Sequence, residues 1–314
     1  MLDVSGDPDC SEFDGAYHLY LPEQIHQNGS TIGGRVVGYR SPDLVHWSPL
    51  GQVFHNTNQS YGGAVTQGLW APEVLAWGGK YYLFYVNVMS GGLDSQVGNK
   101  DIAVVESDDP ADFDKGTQRK VLLDNGYAYI DPSPFQDPKS QGLYLLYKRR
   151  NAAGTGTSIV IRPMKDPFAF SGGETLLLDS KDVPGVGQLE HPMLHAAKNV
   201  YYLLFSFGEG DQPTYRINYA TATTPLGPFT LRGTLFASDT NLSGNVQKKV
   251  IAPGASSIVE DGAGQTWIVY RQKKTAATTF ADRGVCIDPV AFDPAKKEVN
   301  GTPTKGVVRP GPKF

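Results

Sequence analysis

The chain has 314 residues, of which 40% are apolar and 19% charged, and its formal net charge is −4. This mildly acidic balance excludes a large basic surface, so neither a nucleic acid nor a membrane is expected as a partner. No apolar run reaches the roughly 18 residues of a membrane-spanning helix. The 36 glycines and 22 prolines imply many turns and favour short strands.

A strand rich in aromatic and branched residues recurs along the chain. The copies begin at Tyr17, Tyr81, Tyr144, Tyr201 and Trp267, with spacings of 64, 63, 57 and 66 residues. Each copy is followed by a second strand and a turn. Repeats of this kind build the blades of β-propellers, whereas a two-sheet sandwich does not give five similar units. The predicted fold is all-β: a five-bladed β-propeller with four-stranded antiparallel blades around a central channel, in one domain over residues 1–314.

A short motif precedes each recurring strand, and four of the motifs place a carboxylate near a proline. In chain order they are Asp7-Pro8-Asp9-Cys10, Trp70-Ala71-Pro72-Glu73-Val74, Ile130-Asp131-Pro132-Ser133-Pro134-Phe135, Glu190-His191-Pro192 and Ala252-Pro253-Gly254-Ala255-Ser256. Innermost strands line the channel of a propeller, so Asp7, Glu73, Asp131 and Glu190 are expected around one pocket. Clustered carboxylates perturb one another's pKa values, as cation binding or acid–base chemistry requires.

The motifs DP, WAPEV, IDPSPF and EHP, in this order, resemble those of glycoside hydrolase family 43 from Asp7 to about Pro303. That family consists of five-bladed propeller enzymes that invert the anomeric centre. The resemblance implies that Asp7 is the general base and Glu190 the general acid. It implies that Asp131 raises the pKa of the acid and orients it. Inversion predicts that the carboxyl groups of Asp7 and Glu190 lie roughly 6.5–9.5 Å apart.

Four further residues are candidates for substrate binding, namely Trp70, Glu73, Phe135 and Arg283. The resemblance implies that Trp70 lines the sugar pocket and that Arg283 hydrogen-bonds the sugar. Aromatic faces suit the C–H faces of sugars. The alternatives are packing between blades for Trp70, an ion pair for Arg283 and a hydrogen bond to a loop for Glu73.

Two departures from the family pattern bear on the site. Ala255 stands where the family often has a histidine near an axial ion, so no cofactor is expected to be required and an axial calcium is doubtful. Asp9 competes with Asp7 for the role of base, and the spacing to Tyr17 favours Asp7. The Asn-Asp-Pro-Asn signature of retaining invertase relatives is absent, since Gly6 precedes Asp7.

Other reactive residues carry weaker signals. His191 and His195 are four residues apart, but no helix is predicted there, so the helical zinc motif does not apply and no metal ligand is assigned. Ser256 and Ser257 lack the elbow motif of serine hydrolases. Cys10 and Cys286 lie near opposite ends of the chain, so a ring-shaped fold leaves two alternatives, a disulfide or two buried thiols.

The predicted activity is hydrolysis of arabinose- or xylose-containing plant cell-wall polysaccharide. We favour an α-L-arabinofuranosidase, with β-xylosidase or arabinanase as alternatives and a non-catalytic sugar-binding propeller as the alternative of another class. Four segments are expected to shape the channel mouth and decide the linkage: residues 21–34, 54–68, 90–100 and 241–249.

The expected setting is extracellular. Sequons at Asn28, Asn58, Asn241 and Asn300 lie in stretches that read as surface loops, which favours a secreted glycoprotein. The first residues do not form a signal peptide, so the chain is interpreted as a mature form. A monomer is expected.

Overall fold

The computed structural model contains five antiparallel sheets. It describes residues 3–4, 6–27, 30–56, 60–61, 64–89, 100–123, 129–151, 154–210, 212–242, 249–275 and 283–305. The innermost strands contact one another in cyclic order, from the first sheet to the fifth and back to the first. The predicted all-β fold, a five-bladed β-propeller, is therefore confirmed. No helix within these ranges has the length and apolarity needed to span a bilayer.

Each blade runs from an innermost strand at the axis to an outermost strand at the rim. The chain starts with β1 (Asp3–Val4), and the first blade comprises β2 (Asp9–Phe13), β3 (Ala16–Gln27), β4 (Ser30–Ser41) and β5 (Ser48–His55). The second comprises β6 (Ser60–Tyr61), β7 (Ala64–Trp77), β8 (Lys80–Met89), β9 (Lys100–Ser107) and β10 (Arg119–Leu123). The third comprises β11 (Ile130–Gln136), β12 (Leu143–Arg150), β13 (Thr157–Asp166), β14 (Ala169–Phe170) and β15 (Thr175–Asp179), followed by a 3₁₀ turn, Ser180–Asp182. The fourth comprises β16 (Gln188–Ala197), β17 (Val200–Gly208), β18 (Arg216–Ala222) and β19 (Thr230–Phe236), and the fifth β20 (Gly254–Glu260), β21 (Thr266–Lys273), β22 (Arg283–Asp293) and β23 (Glu298–Gly301).

The recurring aromatic strands are the second strands of the blades, and they are buried on both faces. All nine residues of β17 are buried. Successive side chains of a strand point to opposite faces, so Leu203 and Phe205 pack toward the third blade while Tyr202 and Leu204 pack toward the fifth. Burial on both faces explains why these strands are continuous apolar runs rather than alternating ones.

The ring is closed by strand pairing between the two ends of the chain. Strand β1 pairs with the beginning of β22, where Val4 lies opposite Arg283, and β23 pairs with the end of β22. Both cysteines are free. Cys10 packs in the core between the first and fifth blades, whereas Cys286 packs against the core between the fourth and fifth. The two thiols lie on opposite sides of β22, which explains the absence of the disulfide, and Cys286 is only partly buried.

The innermost strands share a bulge at the motifs predicted from the sequence. In the second to fifth blades the pairing register breaks there, and a non-glycine residue has a positive φ: Ala71 (42°), Asp131 (56°), His191 (47°) and Ala255 (48°). Three of these residues precede a proline. A bulge tolerates proline because the residues of a bulge need not donate a backbone hydrogen bond to the neighbouring strand. Asp7, before Pro8, is the corresponding residue of the first blade. The bulges therefore place one residue of each of these four blades at an equivalent position of its innermost strand.

The segments expected at the channel mouth are described only in part. Residues 21–34 belong to the hairpin of β3 and β4, apart from positions 28–29. Most of residues 90–100 and 241–249 lies outside the described ranges, as do Asn28 and Asn58.

Candidate active site

Asp7 lies at the axis within a group of basic residues. Its Oδ2 is 2.8 Å from His191 Nε2, and its Oδ1 accepts a hydrogen bond from Arg271 Nε. Arg283 Nη1 lies 3.8 Å from the same Oδ1. Burial alone raises the pKa of a carboxyl group, but His191 and Arg271 outweigh it and hold the pKa of Asp7 well below its usual range. Asp7 is therefore ionised, as a general base must be.

Asp131 lies on the other side of His191. The backbone N–H of His191 donates to Asp131 Oδ2 at 3.0 Å, and His191 Nε2 is 3.4 Å from Asp131 Oδ1. Burial, opposed by His191 and reinforced by the negative charge of Glu190, raises the pKa of Asp131. His191 is itself buried, but the charges of Asp131 and Asp7 prevail and raise its pKa. The His191 ring thus lies between two carboxyl groups that would otherwise repel each other.

Glu190 is held through both of its carboxyl oxygens. Lys148 Nζ lies 2.6 Å from Oε1, and the hydroxyl of Tyr215 donates to Oε2 at 2.9 Å. Tyr215 OH is also 3.3 Å from His191 Nδ1, so one chain of contacts connects Glu190 to Asp7. Burial favours the neutral acid, yet Lys148 and His191 outweigh it and lower the pKa of Glu190. A raised pKa was expected for a general acid, and Lys148 is the physical reason for the difference.

A second layer of carboxyl groups lies one step farther along the innermost strands. Asp9 accepts hydrogen bonds from the backbone of Val74 at 3.0 Å and from the hydroxyl of Ser257 at 3.2 Å. Burial raises the pKa of Asp9 to about 7. Burial and the charge of Asp9 raise the pKa of Glu73 well above its usual range, against a hydrogen bond from Ser133. The structure thus places Asp7, rather than Asp9 or Glu73, with Arg271 and His191.

The remaining predicted binding residues have different surroundings. Arg283 is 4% exposed and reaches Asp7. Trp70 is half-buried, and Lys100 Nζ lies 5.4 Å from its ring centroid. The prediction for Phe135 is wrong: this side chain packs in the core between the third and fourth blades, 6.3 Å from the ring of Tyr201. Phe135 lies beyond the bulge, where the strand's alternation turns it away from the axis.

Four residues of the site had no predicted role: Lys148, Arg271, Tyr215 and His191, the last of which was considered only as one of a histidine pair. Lys148 lies opposite Ile130 in the sheet, and Arg271 lies opposite Gly254. Each directly follows the last aromatic residue of a recurring strand, Tyr147 or Tyr270, and that position is the signal that could have identified them. Tyr215 precedes β18 and carries no comparable pattern.

The innermost strand of the fifth blade has Ala255 at its bulge. Ala255 offers no ligand at its ring position, and His191 Nε2 faces Asp7. Within the described ranges, no group of three or more His, Cys, Asp or Glu residues is arranged to hold a metal. His195, the other member of the histidine pair, stacks on Phe292 with the ring centroids 4.2 Å apart.

Comparisons with known proteins identify the family of the chain. The sequence matches the model of "Glycosyl hydrolases family 43" over residues 4–296. A β-D-galactofuranosidase of Aspergillus niger is 24% identical over 309 residues, covering 92% of this chain and 80% of the relative. An arabinoxylan arabinofuranohydrolase of Bacillus subtilis is 24% identical over 270 residues, covering 73% of this chain and 49% of that relative. The crystal structure of a thermostable family-43 glycoside hydrolase has a TM-score of 0.79 at 24% identity, covering 98% of this chain and 96% of that one. Because the family match spans almost the whole chain, this protein belongs to glycoside hydrolase family 43 and is a glycoside hydrolase.

Proposed function

We propose that this chain is an inverting α-L-arabinofuranosidase that acts on arabinose- and xylose-containing plant cell-wall polysaccharide. The observation that carries the proposal is the convergence of Asp7, Asp131 and Glu190 around His191. Asp7 is ionised beside its cations, as a base must be, and Glu190 lies at the far end of the contact chain through Tyr215. A base and an acid on two sides of one pocket are what inversion requires.

In the proposed reaction, a water molecule attacks the anomeric carbon and transfers its proton to Asp7. The glycosidic C–O bond breaks through an oxocarbenium-like transition state, and the proton of Glu190 passes to the leaving oxygen. Asp131 accepts a hydrogen bond from the backbone N–H of His191 and thereby holds in position the residue whose imidazole contacts Asp7. Its negative charge near Glu190 favours the protonated acid.

The choice of sugar rests on the relatives. One is described as an arabinoxylan arabinofuranohydrolase, which supports α-L-arabinofuranose. The other is described as a β-D-galactofuranosidase, and its match spans more of this chain, which makes β-D-galactofuranosidase the second candidate. These two sugars share the configuration of the furanose ring and differ by one hydroxymethyl group. A β-xylosidase or an arabinanase remains an alternative that the experiment below separates.

Trp70 and Arg283 are proposed to contact the sugar beside Asp7, with Glu73 acting from the second layer. Arg283 is buried within reach of Asp7, which supports a role for the guanidinium at the reacting sugar. Lys100 lies against the ring of Trp70, so the proposed sugar contact uses the opposite face of the indole.

The protein is further proposed to be a secreted, N-glycosylated monomer that requires no cofactor. The sequon asparagines Asn241 and Asn300 are both exposed, which supports glycosylation.

The test is hydrolysis of the nitrophenyl glycosides of α-L-arabinofuranose, β-D-galactofuranose and β-D-xylose, with NMR of the first anomer released. One glycoside should be turned over with inversion, and retention would contradict the mechanism. Glu190→Gln should abolish cleavage of the natural linkage but spare dinitrophenyl glycosides, whose leaving group needs no acid, while Asp7→Asn should abolish both. Glu209→Gln, an exposed carboxylate, is the matched control. Release of oligosaccharides from arabinan without turnover of any nitrophenyl glycoside would favour an arabinanase. Binding to arabinoxylan with turnover of neither arabinan nor a nitrophenyl glycoside would favour the sugar-binding propeller.

A further inference from the structure

Two buried cations occupy corresponding positions in the third and fifth blades. Lys148 in β12 and Arg271 in β21 each lie opposite the innermost strand just before its bulge. Each reaches the carboxylate of the next blade around the ring: Lys148 contacts Glu190, and Arg271 contacts Asp7. The fold thus supplies the proposed acid, Glu190, and the proposed base, Asp7, each with a cation from the preceding blade.

Lys148 is enclosed more completely than a surface ion pair. Its side chain is 2% exposed, and Nζ lies 2.6 Å from Glu190 Oε1 and 2.8 Å from Gln188 Oε1. Arg149, the next residue, points to the other face of β12 and pairs with Glu174 at 3.1 Å in a more exposed setting. The strand therefore ends in three consecutive cations, the third being Arg150, which donates to the backbone oxygen of Gly154 at 3.1 Å. Of these three, Lys148 contacts Glu190.

We propose that Lys148 is a positioning residue that orients the Glu190 carboxyl group and sets the pH above which the enzyme loses activity. The proposal rests on the role of Glu190 as general acid. Lys148 takes Oε1, so the proton that passes to the leaving group belongs on Oε2, the oxygen on the side of Tyr215.

The direction of the effect follows from charge. The acid works when protonated, so activity falls as the pH rises through the pKa of Glu190. Burial raises that pKa, and Lys148, the largest opposing influence, lowers it. The charged and titratable groups that act on or with Glu190 come from four other strands and one connecting segment. They are Lys148 from β12, Asp131 from β11, Arg271 from β21, Arg283 from β22 and Tyr215 before β18, together with its neighbour His191. Among the residues that the structure describes, Lys148 is the only cation in direct contact with the carboxyl group.

The experiment compares pH profiles of kcat/KM for the wild type, Lys148→Met, Lys148→Arg and Arg149→Met. Removing an opposite charge at this distance should move the alkaline limb of Lys148→Met upward by about 1–3 pH units. Lys148→Arg keeps the charge and should keep the limb close to that of the wild type. Arg149→Met should leave it unchanged. A uniform loss of activity with the limb unmoved in Lys148→Met would overturn the proposal.

A second measurement needs neither turnover nor the methionine variant. NMR titration of protein labelled with [δ-13C]glutamate, with Glu190→Gln to assign the resonance, gives the pKa of Glu190 directly. A value below that of an ordinary glutamate is expected, and a normal or raised value would overturn the proposal. If the pKa of Glu190 is lowered but the protein cleaves no glycoside, the influence of Lys148 on Glu190 stands and the proposed function is wrong.

Discussion

Gly254 should be intolerant of even one added methyl group, because it lies against Tyr215. A Cβ at this position would meet Tyr215 Cε1 at 2.1 Å, Cδ1 at 2.7 Å and Ser206 Oγ at 3.0 Å. Carbon atoms in contact lie about 3.5–4.0 Å apart, so the tyrosine ring must withdraw by roughly 1.5 Å in Gly254→Ala. Its hydroxyl, now 2.9 Å from Glu190 Oε2, would then lie beyond hydrogen-bonding distance.

The expected consequences are separable by assay. Overpacking of this kind costs about 1–3 kcal/mol of stability, measured as the free energy of unfolding in urea. Losing a contact that orients the acid should lower kcat/KM by roughly 100-fold, on the scale of an ångström-sized misplacement of a catalytic group. The substrate is the glycoside that the panel above identifies.

A matched control and a double mutant make this prediction refutable. Gly173→Ala adds the same methyl group where no atom lies within 4 Å, so it should leave activity unchanged. Tyr215→Phe removes the hydroxyl and keeps the ring. If Gly254→Ala acts through that hydroxyl, the losses in kcat/KM of the two variants should not add. Fully additive losses, or a Gly254→Ala enzyme as active as wild type, would refute the reasoning.

Three further predictions concern charge and thiols. In Asp131→Asn, loss of a negative neighbour of Glu190 should move the alkaline limb of the kcat/KM profile to lower pH, and an unmoved limb would argue against the role given to Asp131. Arg271→Met removes a positive charge that lowers the pKa of Asp7. Because Asp7 must be ionised, the acidic limb of the kcat/KM profile should move upward by about 1–3 pH units. Denatured, unreduced protein should titrate two thiols per chain, from Cys10 and Cys286, and finding none would mean that they are bonded.

The fold was predictable because its signal is local and repeated. The second strand of each blade is buried on both faces, so an apolar run such as Val200–Gly208 stands out from the polar turns around it. The closure of the ring was not predictable in this way. The pairing of Val4 with Arg283 joins residues almost a whole chain apart, and the two-residue strand β1 carries no pattern of its own.

The residues of the site likewise differ in whether a local sequence signal identifies them. Asp7, Asp131 and Glu190 each belong to a short motif with a proline, so the sequence displays them. Lys148 and Arg271 act on carboxylates 42 and 264 residues away, and such partners become visible only when the blades are side by side. Their position after an aromatic strand is a periodic signal that a search for carboxylates alone passes over.

Phe135 shows the opposite error. It belongs to the same motif as Asp131, but a bulge separates the two residues and resets which face of the strand each side chain takes. Proximity in sequence therefore did not carry over to proximity at the axis. His191 was considered only for its spacing to His195, although its bulged position places it between Asp7 and Asp131.

Because β1 pairs with β22, the enzyme can become active only after the ring has closed, which is a late step of folding. Asp7 lies three residues after Val4, and the guanidinium groups that hold it belong to the final blade. A chain with only the first four blades folded contains Glu190 but lacks Arg271 and Arg283, the cations that contact Asp7. Contacts of such long sequence separation form late and slowly. During refolding, hydrolytic activity should therefore return later than the β-sheet content of the chain. The rate at which activity returns would then measure the rate of ring closure.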